Sequence, residues 1–356
     1  MSDRAAPDQG VMEGGGAYNR HSMPQAAGIA SALPLLEKAV LNVSLEADSH
    51  PIVIADYGSS EGKNSLAPMQ LAIETMRRRT DPKRPILVFH VDQPANDFNS
   101  LFTLLNTDEA SYGLEPNVFS SAVGRSFYES VLPPGYVHLG WSSYAAQWLS
   151  KVPTTIPDHF FPAASGSAAR ADFERQSAQD WKAFLSLRAH ELRPGGRLVV
   201  VQTALDDDGS SPLHDFMNHA NTVLEEMVDE GAIKAEERAR MVLGVYPRRK
   251  RDLLAPFEQE GEFQQLTVEN CELSLHSDAA WADYERDPNK DVWASRQARF
   301  FRATFASSLM LGLTNAGDED KRHAFADQLE DRLKRRLVSH PAPLRSFVTT
   351  IVLARR

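Results

Sequence analysis

The chain has 356 residues, 42% of them apolar, enough to bury the core of one large domain or two ordinary ones. Its formal charge of −10 works against non-specific binding to nucleic acid or anionic membrane, and no basic, aromatic-interleaved stripe offsets it. The single cysteine, Cys271, excludes an internal disulfide and a cysteine-based metal site, and no apolar run approaches the roughly 18 residues of a membrane span.

Residues 1–16 are polar, end in Gly14-Gly15-Gly16 and read as a flexible arm. The opening Met1-Ser2-Asp3-Arg4 carries no secretion signal, so a cytoplasmic protein is expected. Ser22 followed by Pro24 reads as a helix cap and first-turn proline, with apolar residues continuing to about Val43. Pro51 precedes Ile52-Val53-Ile54-Ala55, a run suited to a buried strand, and Gly58 and Gly62 mark the turn after it. A helix is predicted over 65–79, then a second buried strand, Ile86-Leu87-Val88-Phe89, ending near Asp92. Further strands are predicted at 118–123 and 137–141.

A long helical pattern over 172–192 stops at Pro194-Gly195-Gly196 and runs into the β-branched strand Arg197-Leu198-Val199-Val200-Val201. Strands alternating with helices predict a parallel, doubly wound α/β sheet. From about 207 the pattern turns helical, with a short strand at 263–268, until 346–354 returns to the sheet. The predicted division is an N-terminal arm and helix over 1–50 covering the active site, a core of 51–206 with 340–356, and a mainly helical cap over 207–339.

In an open parallel sheet, ligands bind beyond the carboxyl ends of the central strands. Three stretches are predicted to converge there: the glycine loop of residues 56–64, Asp92, and the turn of residues 192–198. Asp56 is suited to an ammonium group and Asp92 to the two hydroxyls of a ribose. A nucleotide P-loop fits poorly, since Gly58 and Gly62 are separated by three residues rather than four and Asn64 stands where a metal-binding hydroxyl belongs. A dinucleotide fold wants three spaced glycines, and this loop supplies two.

Specific residues then bring a family into view. Met12-Glu13-Gly14-Gly15-Gly16-Ala17-Tyr18 with Ser22 and Gln25, the loop Ala55-Asp56-Tyr57-Gly58-Ser59-Ser60-Glu61-Gly62-Lys63-Asn64, and Asp92-Gln93-Pro94-Ala95-Asn96-Asp97-Phe98-Asn99 resemble the SABATH methyltransferases. That family acts on salicylic, benzoic, jasmonic and indoleacetic acids and on xanthines. The resemblance continues through Gly124-Arg125-Ser126-Phe127-Tyr128, with one residue inserted, and through 142–150. It loosens in the cap, at 227–231 and 301–303, and departs at His21, where the family commonly has Asn.

The resemblance implies a Rossmann-like class I methyltransferase core under a mainly helical cap, a homodimer, and S-adenosyl-L-methionine as cofactor. It implies that Ser22, Asp56, Gly58, Asn64, Asp92, Gln93, Ser126 and Phe127 bind that cofactor, with Asp92 on the ribose, Phe127 on the adenine face and Ser126 on its edge. It places Gln25 and Trp148 on the substrate carboxylate and Tyr18 over the reactive centre. A carboxylic acid is ionised at neutral pH, so no acid–base residue is expected. The implied reaction is O-methylation of a small, largely apolar organic acid; the alternatives are N-methylation of a xanthine-like heterocycle or cofactor binding without turnover. No metal is expected, because residues 240–247 lack the carboxylate and Asn that some members use. His138 reads as structural, Lys63 and the basic run 248–251 as solvated, and Trp281, Trp293, Phe300, Phe301 and Phe305 as cap packing.

Overall fold

The computed structural model describes residues 10–46 and 50–356. The first nine residues of the arm expected over 1–16 lie outside it. From residue 10 onward that arm is pinned rather than loose: Gly10 N–H donates to Ser308 Oγ, Glu13 N–H to Ala303 O and Gly15 N–H to Asp97 Oδ2. The reason is that its glycines bring backbone donors close to fixed acceptors.

Two N-terminal helices follow, α1 (Ala17–His21) and α2 (Met23–Leu41). Ser22 stands at the N-cap of α2, yet its side chain makes no capping bond. Five strands then run parallel: β1 (Ile52–Tyr57), β2 (Ile86–Asp92), β3 (Val118–Gly124), β4 (Val137–Ser143) and β5 (Leu192–Leu205). Helices α3 (Leu66–Arg77), α4 (Phe98–Thr107) and α5 (Arg170–Glu191) connect them. Every residue of β1 is buried, as its unbroken apolar run requires in a sheet covered on both faces.

The sheet is mixed rather than wholly parallel. Beside β5 lie the short β6 (Arg248–Arg249), which is parallel to it, and β9 (Arg345–Arg355), which is antiparallel. The full order is β3-β2-β1-β4-β5-β9-β8-β7, with β7 (Glu262–Phe263) and β8 (Leu266–Ser277) at the end. The strand read at 263–268 as a short piece of the cap is therefore a twelve-residue member of the core sheet. It leads to the cap at the carboxyl edge, so β9 enters from that edge and must run back antiparallel.

The helices of the cap are α6 (Leu213–Asp229), α7 (Ala235–Arg240), α8 (Lys250–Leu254), α9 (Ala279–Arg286), α10 (Lys290–Phe301), α11 (Ser307–Met310) and α12 (Glu319–Ser339), of which α8 packs back on the core. In α6, Leu213, Phe216, Met217, Ala220, Leu224 and Met227 recur at helical spacing and bury one stripe against α10 and α12. The sheet has a second core under α2 and α3 and a third under α5. No helix among the described residues is long and apolar enough to cross a membrane.

Two further expectations are corrected. The turn at Pro194-Gly195-Gly196 lies inside β5 at its start, where Leu192 pairs with Val137, the first residue of β4. That is the amino edge of the sheet, opposite the ligand edge, because this turn leads into its strand rather than out of it. The basic run 248–251 is not solvated throughout. Arg248 is 1% exposed and donates to Ala146 O, Ser177 O and Gln202 Oε1, while Arg249 pairs with Glu174 and Asp252.

Candidate active site

The strand order reverses between β1 and β4, and the site opens at the carboxyl ends of β1, β2 and β4. A cavity there is lined by Gly58 and Ser60 after β1, Asp92 and Gln93 at the end of β2, Asn96, Phe127, and Ser143 to Ala145 at the end of β4. Gly58 has φ +88°, and a Cβ there would collide with Ala145, so the loop needs glycine to turn and to pass.

Asp92 accepts Ser60 N–H on one oxygen and Gln93 N–H on the other, both at 2.7 Å. Each oxygen keeps a lone pair for a further donor. Burial lifts its carboxyl to about 6, against the pull of those two backbone donors, and Asp56 adds to the rise. Phe127 presents a ring held edge-on by Phe184 at 5.9 Å. The buried Arg188 supports it from behind, donating to Phe127 O at 2.8 Å and pairing with Glu191. Gly58, a carboxylate suited to vicinal hydroxyls and an aromatic face together fit an adenosyl group.

Other expected cofactor residues stand outside this lining. The Asp56 carboxylate turns toward the α3 face, where its Oδ2 accepts Ser65 Oγ at 2.6 Å and lies 3.2 Å from His90 Nδ1; His90 Nε2 in turn meets Tyr112 Oη at 2.6 Å. Asp56 thus makes an internal link between β1, β2 and the residue before α3. The reason is strand alternation: Asp56 and Tyr57 face opposite sides of the sheet. Ser126 accepts Tyr128 N–H at 3.2 Å, and Ser22 is buried at the junction of α1 and α2. Asn64 reaches the site indirectly, through a side-chain hydrogen bond with Tyr18.

A second cavity lies under the cap. Gln25, Tyr144, Gln147 and Trp148 line it from the core side, and Met217, Phe300, Thr304 and Phe305 from the cap. Met12, Tyr18, Tyr144 and Trp148 line both cavities, so the two share one wall. Gln25, 6% exposed, has no partner for its Oε1. Trp148 is 6% exposed and is held by the bridge of residue 148 to Val245, by Leu149 N–H on Gly244 O, and by Phe305 at 6.4 Å. Burial pushes the Tyr18 phenol above its ordinary range, with the Asn64 bond opposing. Of the cap aromatics, Phe300 and Phe305 reach the cavity, while Trp293 and Phe301 are core. His138 is structural, as expected, accepting Val53 N–H beside Arg193.

Several residues escape sequence reasoning. Tyr144 has φ +54° and rests its hydroxyl where a Cβ of Gly28 would be, so that glycine admits it. Glu61 accepts Gly16 N–H at 2.7 Å and Asn19 N–H at 2.9 Å, and Asn19 reaches back to Glu61 O and Lys63 N–H. This latch joins α1 to the glycine loop. Asn96 donates to Ser60 O at 2.9 Å, and its place inside the Asp92-to-Phe98 motif was a usable signal. Among the described residues no group of three or more His, Cys, Asp or Glu is arranged to hold a metal ion.

Comparison with known proteins identifies the family. The model of the SAM-dependent carboxyl methyltransferase family matches residues 8–355. Gibberellic acid methyltransferase 1 of Arabidopsis thaliana is 27% identical over 321 residues, 82% of this chain and 84% of that one. Indole-3-acetate O-methyltransferase 1 of the same plant is 28% identical over 279 residues, 70% and 72% of the two chains. A solved loganic acid methyltransferase with SAH shares the fold, with a TM-score of 0.74 at 23% identity over 97% of this chain and 98% of that one. The chain belongs to the S-adenosylmethionine-dependent carboxyl methyltransferase family.

Proposed function

We propose that the protein converts a small carboxylic acid with a largely apolar body into its methyl ester, the acid lying in the cavity under the cap. The observation that carries this reading is the shared wall: Tyr18, Tyr144 and Trp148 border both the cavity at Asp92 and the cavity at Gln25. When bound, the cofactor supplies a methyl group already activated on a sulfonium. The chain's own residues then have only to place an oxygen in line with it.

An acid with a reference pKa near 4 arrives ionised and needs no base. Gln25 and Trp148 offer neutral N–H donors to its carboxylate. A cation would hold the same oxygen more tightly and blunt its attack. Orientation of this kind lowers a barrier by roughly 7–11 kcal/mol. Met12 and Tyr18, from the arm and α1, cover the junction and exclude water. Asp92, Gly58, Gln93 and Phe127 hold the cofactor directly; Ser22, Asp56, Asn64 and Ser126 act from behind them.

In this reading the N-terminal lid spans 1–50, the core 51–206 with 262–277 and 340–356, and the cap the remainder. The enzyme works as a cytoplasmic homodimer without nucleic acid or membrane partners, a state that sedimentation checks. The deciding experiment offers labelled cofactor with a panel of carboxylic acids and a panel of nitrogen heterocycles. Methyl esters are the expected products; transfer to ring nitrogen alone would overturn the reading.

A further inference from the structure

The cavity under the cap carries a polar group that carboxylate binding does not use. Between α10 and α11 the helix opens into a π turn, Arg302–Ala306. Such turns admit an extra residue, re-aim the side chains beside them and recur at functional sites. Thr304 and Phe305 sit in this turn and both line the cavity.

In a regular helix a threonine hydroxyl closes on a carbonyl three or four residues earlier. Thr304 Oγ1 does not: the residue is 5% exposed and its hydroxyl has no hydrogen-bond partner. Its neighbours in the cavity include Phe300, Phe305, Phe161 and Met217, which offer none. Other polar side chains of the same cavity are already engaged. Gln147 Oε1 accepts both Thr203 N–H and Thr203 Oγ1 at 2.8 Å. Asp278 accepts Trp281 N–H and Leu344 N–H, and His276 Nε2 lies 2.7 Å from Ser274 Oγ. Among the described residues lining this cavity, the buried side-chain atoms left without a partner are Gln25 Oε1 and Thr304 Oγ1.

We infer that Thr304 recognises an oxygen substituent on the body of the acid, so that the preferred substrates are hydroxy or keto acids rather than their hydrocarbon counterparts. This rests on the cavity under the cap being the acid site. A hydroxyl both donates and accepts, so it matches either kind of oxygen. A site with a buried group awaiting a partner rejects an analogue that leaves that group unpaired far more strongly than it rejects a missing methylene.

The test compares the wild type with Thr304→Val, which keeps the branched shape and removes the hydroxyl. Matched acid pairs differing by one hydroxyl or keto oxygen are titrated into protein saturated with demethylated cofactor, and ester formation is followed separately. The wild type is expected to bind the oxygenated member of at least one pair about tenfold or more tightly. The variant is expected to lose that preference and keep its cofactor affinity. It is also expected to melt higher without any acid, because a buried unpaired hydroxyl is gone. Equal binding within every pair, a preference retained by the variant, or a lower melting temperature would overturn the inference. Ester formation without a preference removes the role of Thr304 alone; a preference in binding without ester formation removes the proposed reaction alone.

Discussion

Asp92 is held in a state that opposes the stability of the empty protein and that, in the function proposed above, serves the ligand. Its carboxyl sits at about 6 against an ordinary 3.8, chiefly through burial. A raised acid pKa contributes stability that is full below pH 3.8 and lost as pH rises through 6. At pH 7.5 the ionised group therefore costs the empty protein about 1–2 kcal/mol, once screening through the cavity is allowed for. Asp92→Asn is expected to weaken cofactor binding more than about tenfold, since a hydrogen bond to a charged group is worth about 1.5–3 kcal/mol, and its amide NH2 also leaves either Ser60 N–H or Gln93 N–H without an acceptor. Wild-type affinity should fall as pH drops through 6 and stay flat in the variant; calorimetry across pH 5–8 measures both. Gln25→Ala belongs to the other cavity. It is expected to raise the KM for the acid about tenfold and leave cofactor affinity unchanged, which steady-state kinetics beside cofactor titration will separate.

Helix α1 has only five residues, so its position depends on the Glu61 latch rather than on its own hydrogen bonds. Glu61→Ala leaves two backbone donors unpaired at the entrance of the helix. Amide exchange at Gly16 and Asn19 is expected to accelerate by about tenfold or more, and turnover to fall because Tyr18 and Met12 no longer stay over the junction. Exchange rates unchanged from wild type would refute the latch. The glycine turns at the two edges of the sheet make a matched pair. Gly58→Ala strains a positive φ and meets Ala145, so cofactor affinity should collapse. A Cβ at Gly196 would lie 2.9 Å from Arg193 O and 3.1 Å from Val137 O, far from either cavity. Gly196→Ala should destabilise by about 2 kcal/mol or more while the folded fraction binds cofactor normally, as urea titration with and without cofactor will report.

Across the molecule, buried guanidinium groups tie the layers together. Arg248 joins α5 through Ser177 O, β5 through Gln202 and the segment bearing Trp148 through Ala146 O. Arg248→Met removes the bonds to all three acceptors at once and strands them. A loss of about 3 kcal/mol or more is expected in urea unfolding, together with a raised KM for the acid because residues 144–148 lose their anchor. Loss of stability with an unaltered KM would show that Arg248 serves the core alone. The cap completes the same arrangement, since residues 244–246 pair with the segment bearing Trp148 and the π turn supplies Phe305 and Thr304.

The positions of the first five strands along the chain and the ligand edge after β1 and β2 were legible in the sequence because each depends on a local pattern: an apolar run or a glycine turn. For the same reason Gly58, Asp92 and Gln93, which line the cavity at the carboxyl ends of β1 and β2, fall in short consecutive motifs at strand ends. Tertiary structure alone decided the rest. β8 carries charged and polar residues along most of its length and joins the sheet only because β9 lies beside it. The side of β1 toward which Asp56 points, the edge on which Gly195 and Gly196 fall, and the burial of Arg248 depend on pairings tens of residues away. Such pairings are set by which surfaces meet when the sheet closes under its helices, and no stretch of neighbouring residues encodes them.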